Sequence, residues 1–176
     1  LLLESLLLFS RPSNPVKEYC SVNDLLKRTL DLAYPQIKKH DIAADLQLEK
    51  NLPWTSVDPN QISQVLLNIM NNALHAVRRV DHHDRRIKLS TSLRDDRIVI
   101  LISNNGPHIP QSVLDRIFEP FFSTKKSGQG TGLGLSICHN IIQAHQGEIE
   151  AENTGRDRGV SFTISLPVTH GMGVFD

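Results

Sequence analysis

Glycine stands at positions 128, 130, 132 and 134, and an apolar run starts as the alternation ends: Leu133, Leu135, Ile137, Cys138, Ile141 and Ile142. Each glycine loses more backbone freedom on ordering than any other residue, so four alternating ones are poor material for a strand or helix interior. They suit a loop whose backbone comes close to another group. The apolar residues recur at helical spacing and stop at Gly147, which predicts a helix closed there by a left-handed cap. A helix that begins at the edge of such a loop offers unpaired N–H groups to an anion, and phosphate is the candidate. Neither common phosphate loop fits. A Walker A loop needs Lys and then Ser or Thr after its last glycine, where this chain has Leu135 and Ser136. The dinucleotide fingerprint needs a glycine where Leu133 stands, and no ribose-binding carboxylate lies in a matching βαβ context.

The rest of the chain predicts an α+β fold. Ser21 or Asn23 caps a helix reaching about Lys39, with Leu25, Leu26, Leu30 and Ala33 inward and Pro35 kinking or shortening it. Residues 43–48 alternate as a strand. Pro53, Trp54, Asp58 and Pro59 mark a loop, with Asp58 as cap and Pro59 as first residue of the next helix. That helix, 59–80, carries one apolar stripe: Ile62, Val65, Leu66, Ile69, Met70, Ala73 and Val77. Gln64, Asn68 and Asn72 lie one turn apart on another side. Residues 86–93 and 97–102 read as a hairpin, broken by Asn104-Asn105-Gly106-Pro107. A short helix spans 111–117, and two more strands, 147–152 and 160–166, turn at Asn153-Thr154-Gly155. Helices and antiparallel strands without βαβ repetition imply a mixed, largely antiparallel sheet with helices on one face.

Composition sets outer limits. The 176 residues, 39% of them hydrophobic, are enough for one domain core. The net charge of +0 gives no basic excess for a nucleic-acid surface, so no nucleic acid is expected as partner. Cys20 and Cys138 have no metal spacing and read as reduced thiols. No apolar stretch reaches the roughly 18 residues of a membrane-spanning helix. Residues 1–9 are apolar nearly all round, as in a bundle helix, and a start of Leu-Leu-Leu reads as the cut end of something longer.

Three further stretches carry chemistry. Asn68 and Asn72 put two amides at i,i+4 beside a full apolar stripe, and an amide oxygen is a hard ligand suited to Mg²⁺. Asn104-Asn105-Gly106-Pro107 follows a strand. Phe118 to Lys126 sets a proline among three phenylalanines before Ser-Thr-Lys-Lys, an aromatic hinge and a basic segment.

In this order the stretches resemble the catalytic domain of bacterial sensor histidine kinases. NQISQVLLNIMNNALHAV resembles the family's N box, ISNNGPHIP its G1 box, IFEPFFSTK its F box, GQGTGLGLSI its G2 box and GVSFTISLP its closing strand. The resemblance runs over 16–167, and LLLFSRP is similar to the end of a dimerisation helix. It implies 1–15 as helix end and linker and 16–176 as the catalytic domain, with the ATP-binding fold shared with gyrase, Hsp90 and MutL and a mobile lid.

The same resemblance implies roles. Asn72 matches a Mg²⁺-ligating asparagine. Asn68 stands where related ATPases have a glutamate that activates water; an amide takes up no proton near neutral pH, which favours transfer to a histidine over hydrolysis. His75 stands near the phosphates, Lys125 (with Lys126) approaches the γ-phosphate, and Gly130, Thr131, Gly132, Leu133 and Gly134 surround the triphosphate. Asn104 replaces the aspartate that reads the adenine amino group, Gly106 is kept, and His108 replaces the second G1 glycine. Implied with these are ATP and Mg²⁺ as cofactors, a homodimer for the whole protein, an upstream histidine-containing dimerisation domain, a response-regulator receiver domain as partner, and a cytoplasmic domain of an inner-membrane sensor. His83-Asp84-Arg85-Arg86 superficially matches an acceptor motif but precedes a strand, and is rejected. Two other functions fit the same residues. Asn104 and His108 suit a degenerate regulatory docking module with weak or no kinase activity. A hydrolytic ATPase is opposed by Asn68.

Overall fold

The computed structural model describes residues 15–124, 132–156 and 158–169. The apolar 1–14 segment, and Lys125, Gly130 and Thr131 among the expected site residues, lie outside these. No helix among the described residues is long and apolar enough to cross a membrane.

In chain order the elements are β1 (Glu18–Cys20), α1 (Val22–Lys39), β2 (Ala43–Gln47), β3 (Thr55–Val57), α2 (Pro59–Val77), a 3₁₀ turn (His82–Asp84), β4 (Arg86–Arg94), β5 (Arg97–Pro107), α3 (Gln111–Leu114), α4 (Gly134–Ala144), β6 (Glu148–Asn153) and β7 (Arg158–Pro167). β1 and β3 pair as a small antiparallel ribbon. The main sheet has the order β2-β4-β5-β7-β6, with β2 parallel to β4 and every other pair antiparallel. The expected mixed, largely antiparallel sheet is therefore present.

The two long helices start where their caps say they should. The Ser21 side chain accepts the Asp24 N–H. Asp58 accepts from the N–H groups of Asn60 and Gln61, with Pro59 supplying the first turn. All seven residues of the α2 stripe are buried. They pack on the alternate residues of the sheet: Ile87 and Leu89, Ile98, Ile100 and Ile102, Val160, Phe162, Ile164 and Leu166. Pro35 does not shorten α1, which continues to Lys39. The β4–β5 hairpin turns on Asp95 and Asp96, both at positive φ (47° and 56°), the two-residue turn whose twist matches the strands.

Three expectations need correction. Asn104-Asn105-Gly106-Pro107 does not break β5, which runs on to Pro107. The register slips between Asn104 and Pro107, so the strand absorbs the irregularity as a bulge. Side chains replace the lost ladder bonds: Asn104 Oδ1 accepts the Gly106 N–H, and Asn105 Oδ1 accepts the Arg86 N–H. Nor does Gly147 provide the left-handed cap of α4. Gln146 carries the positive φ of 56°, and Gly147 donates to the Ile142 carbonyl at 2.9 Å, closing the helix. Glycine is needed at 147 because a Cβ there would lie 2.5 Å from the Ser165 carbonyl oxygen. The predicted helix at 111–117 contracts to α3 followed by turns.

One buried junction ties both site-bearing helices together. His145, 2% exposed, follows α4; its Nδ1–H donates to the Ile141 carbonyl and its Nε2 accepts the Asp58 N–H at 2.9 Å. Asp58 Oδ2 also accepts the Val16 N–H. The segment leading into β1, the cap of α2 and the end of α4 thus meet at one aspartate.

Candidate functional site

A cavity of about 680 Å³ opens between α2, the sheet and the start of α4. α2 lines it with Asn68, Asn72 and His75, continued past its end by Arg79. These positions advance by four, three and four residues, so they form one polar stripe alongside the buried one. β5 and its bulge contribute Asn104, Pro107 and His108, and β7 contributes Val160 and Phe162. Ile109, Val113, Ile117 and Phe122 form an apolar wall, and Gly132, Gly134 and Leu135 close the end. A smaller hollow of about 330 Å³, beside Phe118, Ile149 and Thr163, contains none of the expected site residues.

The closing end suits an anion. α4 begins at Gly134 without any side-chain cap, and its first recorded backbone bond is from Ile137 N–H to the Leu133 carbonyl. The first-turn N–H groups of a helix have no partner within it, and this positive end of the helix dipole lies where Gly132, Gly134 and Leu135 line the cavity. Gly132 holds the approach to this helix at φ +68°, and a Cβ there would meet the Phe121 backbone at 2.6 Å. Gly134 differs: a Cβ on it would meet only Asn68, at 3.9 Å. Asn68 Nδ2 lies 3.5 Å from the Gly134 carbonyl oxygen, which sets the amide against the helix start. Behind it, burial pushes the Cys138 thiol up to about 12, so this cysteine is inert packing.

Asn72 is half-buried, lines the cavity and makes no side-chain hydrogen bond among the described residues. A neutral amide oxygen placed there fits a hard cation that also binds phosphate oxygens. At the other side of the cavity Asn104 is 7% exposed, held by Gly106 and by the Val160 carbonyl. His108 does not take a left-handed backbone, so replacing the expected glycine introduces no strain at that position. Its Nε2 donates to the Thr154 carbonyl at 3.0 Å, and Asn153 bonds both N–H and carbonyl of Ile109. The bulge is therefore pinned to the β6–β7 turn.

Asn68, Asn72, His75, Asn104, Gly132 and Gly134 thus converge on one cavity. Gly106 stands behind Asn104, pressed on Ala76, and Leu133 is buried beneath the start of α4. Arg79 and His108 line the cavity too, although sequence reasoning does not single them out as ligand contacts. Continuing the Asn68–Asn72–His75 spacing by one turn finds Arg79. The His83 segment forms a single 3₁₀ turn before β4, as its rejection as an acceptor helix requires.

The sequence and the fold both match known proteins. The family described as histidine kinase-, DNA gyrase B-, and HSP90-like ATPase matches residues 57–170. The sensor histidine kinase ZraS of Salmonella typhimurium is 33% identical over 158 residues, 90% of this chain and 33% of that protein. The solved catalytic domain of histidine kinase ThkA is 32% identical with a TM-score of 0.76, covering 88% of this chain and 99% of that one. The structure of ThkA in complex with the response regulator protein TrrA superposes with a TM-score of 0.79 at 29% identity, covering 96% of this chain and 46% of that one. The chain spans 33% or less of the length of the first curated relatives it matches.

Proposed function

We propose, from the premise that the chain belongs to the histidine kinase-, DNA gyrase B-, and HSP90-like ATPase family, that it is the catalytic part of a sensor histidine kinase. It binds ATP with Mg²⁺ and presents the γ-phosphate to a histidine outside these residues. The observation that carries this is the pairing of the amide stripe of α2 with the uncapped start of α4 across one cavity. Asn72 holds the metal, which neutralises phosphate charge when bound, and the α4 N–H groups hold the phosphates. His75 and Arg79 add donors at the rim, and Lys125, outside the described residues, is the cation proposed for the γ-phosphate.

Asn68 decides between the two phosphoryl acceptors. No carboxylate lines the cavity among the described residues, and an amide cannot take a proton from water. An imidazole brings its own lone pair, attacks the γ-phosphorus, and ADP leaves with the bridging oxygen. The acceptor is carried by an upstream dimerisation domain, the whole protein works as a homodimer on the cytoplasmic side, and a receiver domain takes the phosphate onward. The relative ThkA, solved with a response regulator, supports the last assignment.

Incubation with γ-labelled ATP and Mg²⁺ tests the proposal. The 176-residue chain stays unlabelled by itself, and a separately supplied dimerisation domain gains acid-labile label. Transfer is slow, because the two parts lack the effective concentration a linker provides. Steady phosphate release without any acceptor would favour a hydrolase. Absence of nucleotide binding would favour a docking module.

A further inference from the structure

Among the described residues, three hydrogen bonds cross the seam between α2 and α4, and they keep one register. At one end His145 Nε2 accepts the Asp58 N–H at 2.9 Å. Seven residues on toward α2 and seven back along α4, the Cys138 thiol reaches the Val65 carbonyl at 3.9 Å. Three further along α2 and four further back, Asn68 Nδ2 lies 3.5 Å from the Gly134 carbonyl oxygen. The two helices therefore run antiparallel, and the far end of their seam is the closing end of the cavity. A thiol is a weak donor, and 3.5 Å is long for an N–H···O bond. The bond at His145 is the strong link of the three. Its ring has one arrangement that satisfies both neighbours: a carbonyl only accepts and an N–H only donates, so Nδ1 carries the proton toward Ile141 and Nε2 keeps its lone pair for Asp58.

What happens at this pin is felt at the cavity. Asp58 and Asn68 are ten residues apart, about 15 Å at 1.5 Å per residue, and a packed helix moves as a rigid element over that length. The end of α4 is also attached to the sheet, where Gly147 presses on the Ser165 carbonyl of β7. That contact sets α4 against the sheet, whereas His145 sets it against the cap of α2. A slip of α4 along α2 displaces Gly134 and the first-turn N–H groups relative to Asn68 and Asn72, which line the same cavity. We propose that His145 is a positioning residue for nucleotide binding, holding α4 in the register at which its start and the amides of α2 act on one triphosphate. This rests on the nucleotide site proposed above. Coupling of this kind is reciprocal: a nucleotide held by both helices at one end of the seam holds the Asp58–His145 bond closed at the other.

Two substitutions separate the pin from the other roles of the ring. Glutamine carries an amide oxygen at about the reach of Nε2, whereas asparagine ends at about the reach of Nδ1 and leaves the Asp58 N–H without its acceptor. Calorimetric titration with ATP and Mg²⁺ gives His145→Gln a dissociation constant within threefold of the parent and His145→Asn one about tenfold weaker. Ile37→Ala, which opens a cavity under α1, lowers the melting temperature and leaves the dissociation constant within threefold. His145→Asn binding within threefold of the parent overturns the positioning role, and an equal loss in His145→Gln or in Ile37→Ala does so too. Amide exchange in the unmodified chain decides even where His145→Asn does not fold. Saturating ATP–Mg²⁺ slows exchange of the Asp58 N–H by about tenfold more than that of the Ala33 N–H in α1, and equal slowing at the two overturns the proposal. Failure of ATP–Mg²⁺ to bind an unmodified chain that still melts cooperatively overturns the nucleotide site, and the positioning role with it.

Discussion

Replacing Gly134 by alanine separates a glycine kept for the ligand from one kept for the fold. The added Cβ meets nothing closer than Asn68 Cγ and Oδ1 at 3.9 Å, an ordinary contact, and Gly134 is not at positive φ. Within a helix alanine is favoured over glycine by roughly 0.5–1 kcal/mol, less at a first position. The melting temperature of a chain this size then stays level or rises by about 2–4 °C. Binding behaves differently. A phosphate oxygen held by an N–H lies about 2.9 Å from the nitrogen. A methyl group needs about 3.5 Å or more from its neighbours, so a Cβ between α4 and Asn68 forces the phosphate out of line. Losing one hydrogen bond to a charged group costs about 1.5–3 kcal/mol, or roughly ten- to hundredfold in dissociation constant. Calorimetry with ATP–Mg²⁺ alongside a thermal melt reads both. A Gly134→Ala chain that binds within threefold of the parent would refute the assignment of this space to phosphate. Gly132→Ala is the contrast: with φ +68° and the Phe121 backbone 2.6 Å away, it loses stability as well as binding.

Asn72→Ala removes Mg²⁺-dependent nucleotide binding while the melt is unchanged or slightly raised, because the side chain is on the polar stripe and alanine is the better helix former; equal titrations with and without the substitution would exclude Asn72 as the metal ligand. Burial holds the His145 imidazole below its ordinary value of 6.5, so the ring is neutral in the fold, matching its acceptor role toward Asp58 N–H. The unfolded chain then binds the extra proton as pH falls below about 6.5, and stability present in full above that pH declines by up to about 1.4 kcal/mol per pH unit. Urea midpoints between pH 7.5 and 5.5 should fall more steeply for the parent than for His145→Gln, and parallel lines would exclude this histidine as the source.

The fold is legible in sequence where local signals and burial coincide. Asp58-Pro59 marks the start of α2 by side chain and ring together, and the seven-residue stripe has a single way to face a sheet. The β4–β5 hairpin needs only Asp-Asp between alternating apolar runs. β1 and β3 leave no such signal, because three residues each give no periodicity and their pairing joins positions far apart in sequence. The bulge in β5 reads as a strand end for a related reason. Asparagine, glycine and proline are breakers by local preference, and only side-chain bonds from Asn104 and Asn105, with β7 as neighbour, keep the strand going.

The proposed phosphate end of the site follows from one helix face and one loop, both local in sequence. Asn68, Asn72 and His75 are fixed relative to each other by helical geometry alone. The opposite side of the cavity is assembled from separate strands, so its direction of hydrogen bonding is a tertiary fact. Asn104 in sequence is an amide with both a donor and an acceptor to offer. Gly106 and Val160, two and fifty-six residues away, fix which way the amide points. His108 makes the same point in the backbone: a glycine-to-histidine departure suggests strain, but the loop takes an ordinary conformation and the ring is used to pin Thr154. His108→Gly is therefore expected to loosen the bulge rather than tighten nucleotide binding, since it removes a hydrogen bond and relieves no steric cost. Calorimetry and a thermal melt on this variant check both halves: a lower melting temperature with ATP affinity level or weaker is expected, and tighter binding at an unchanged melt would refute the argument.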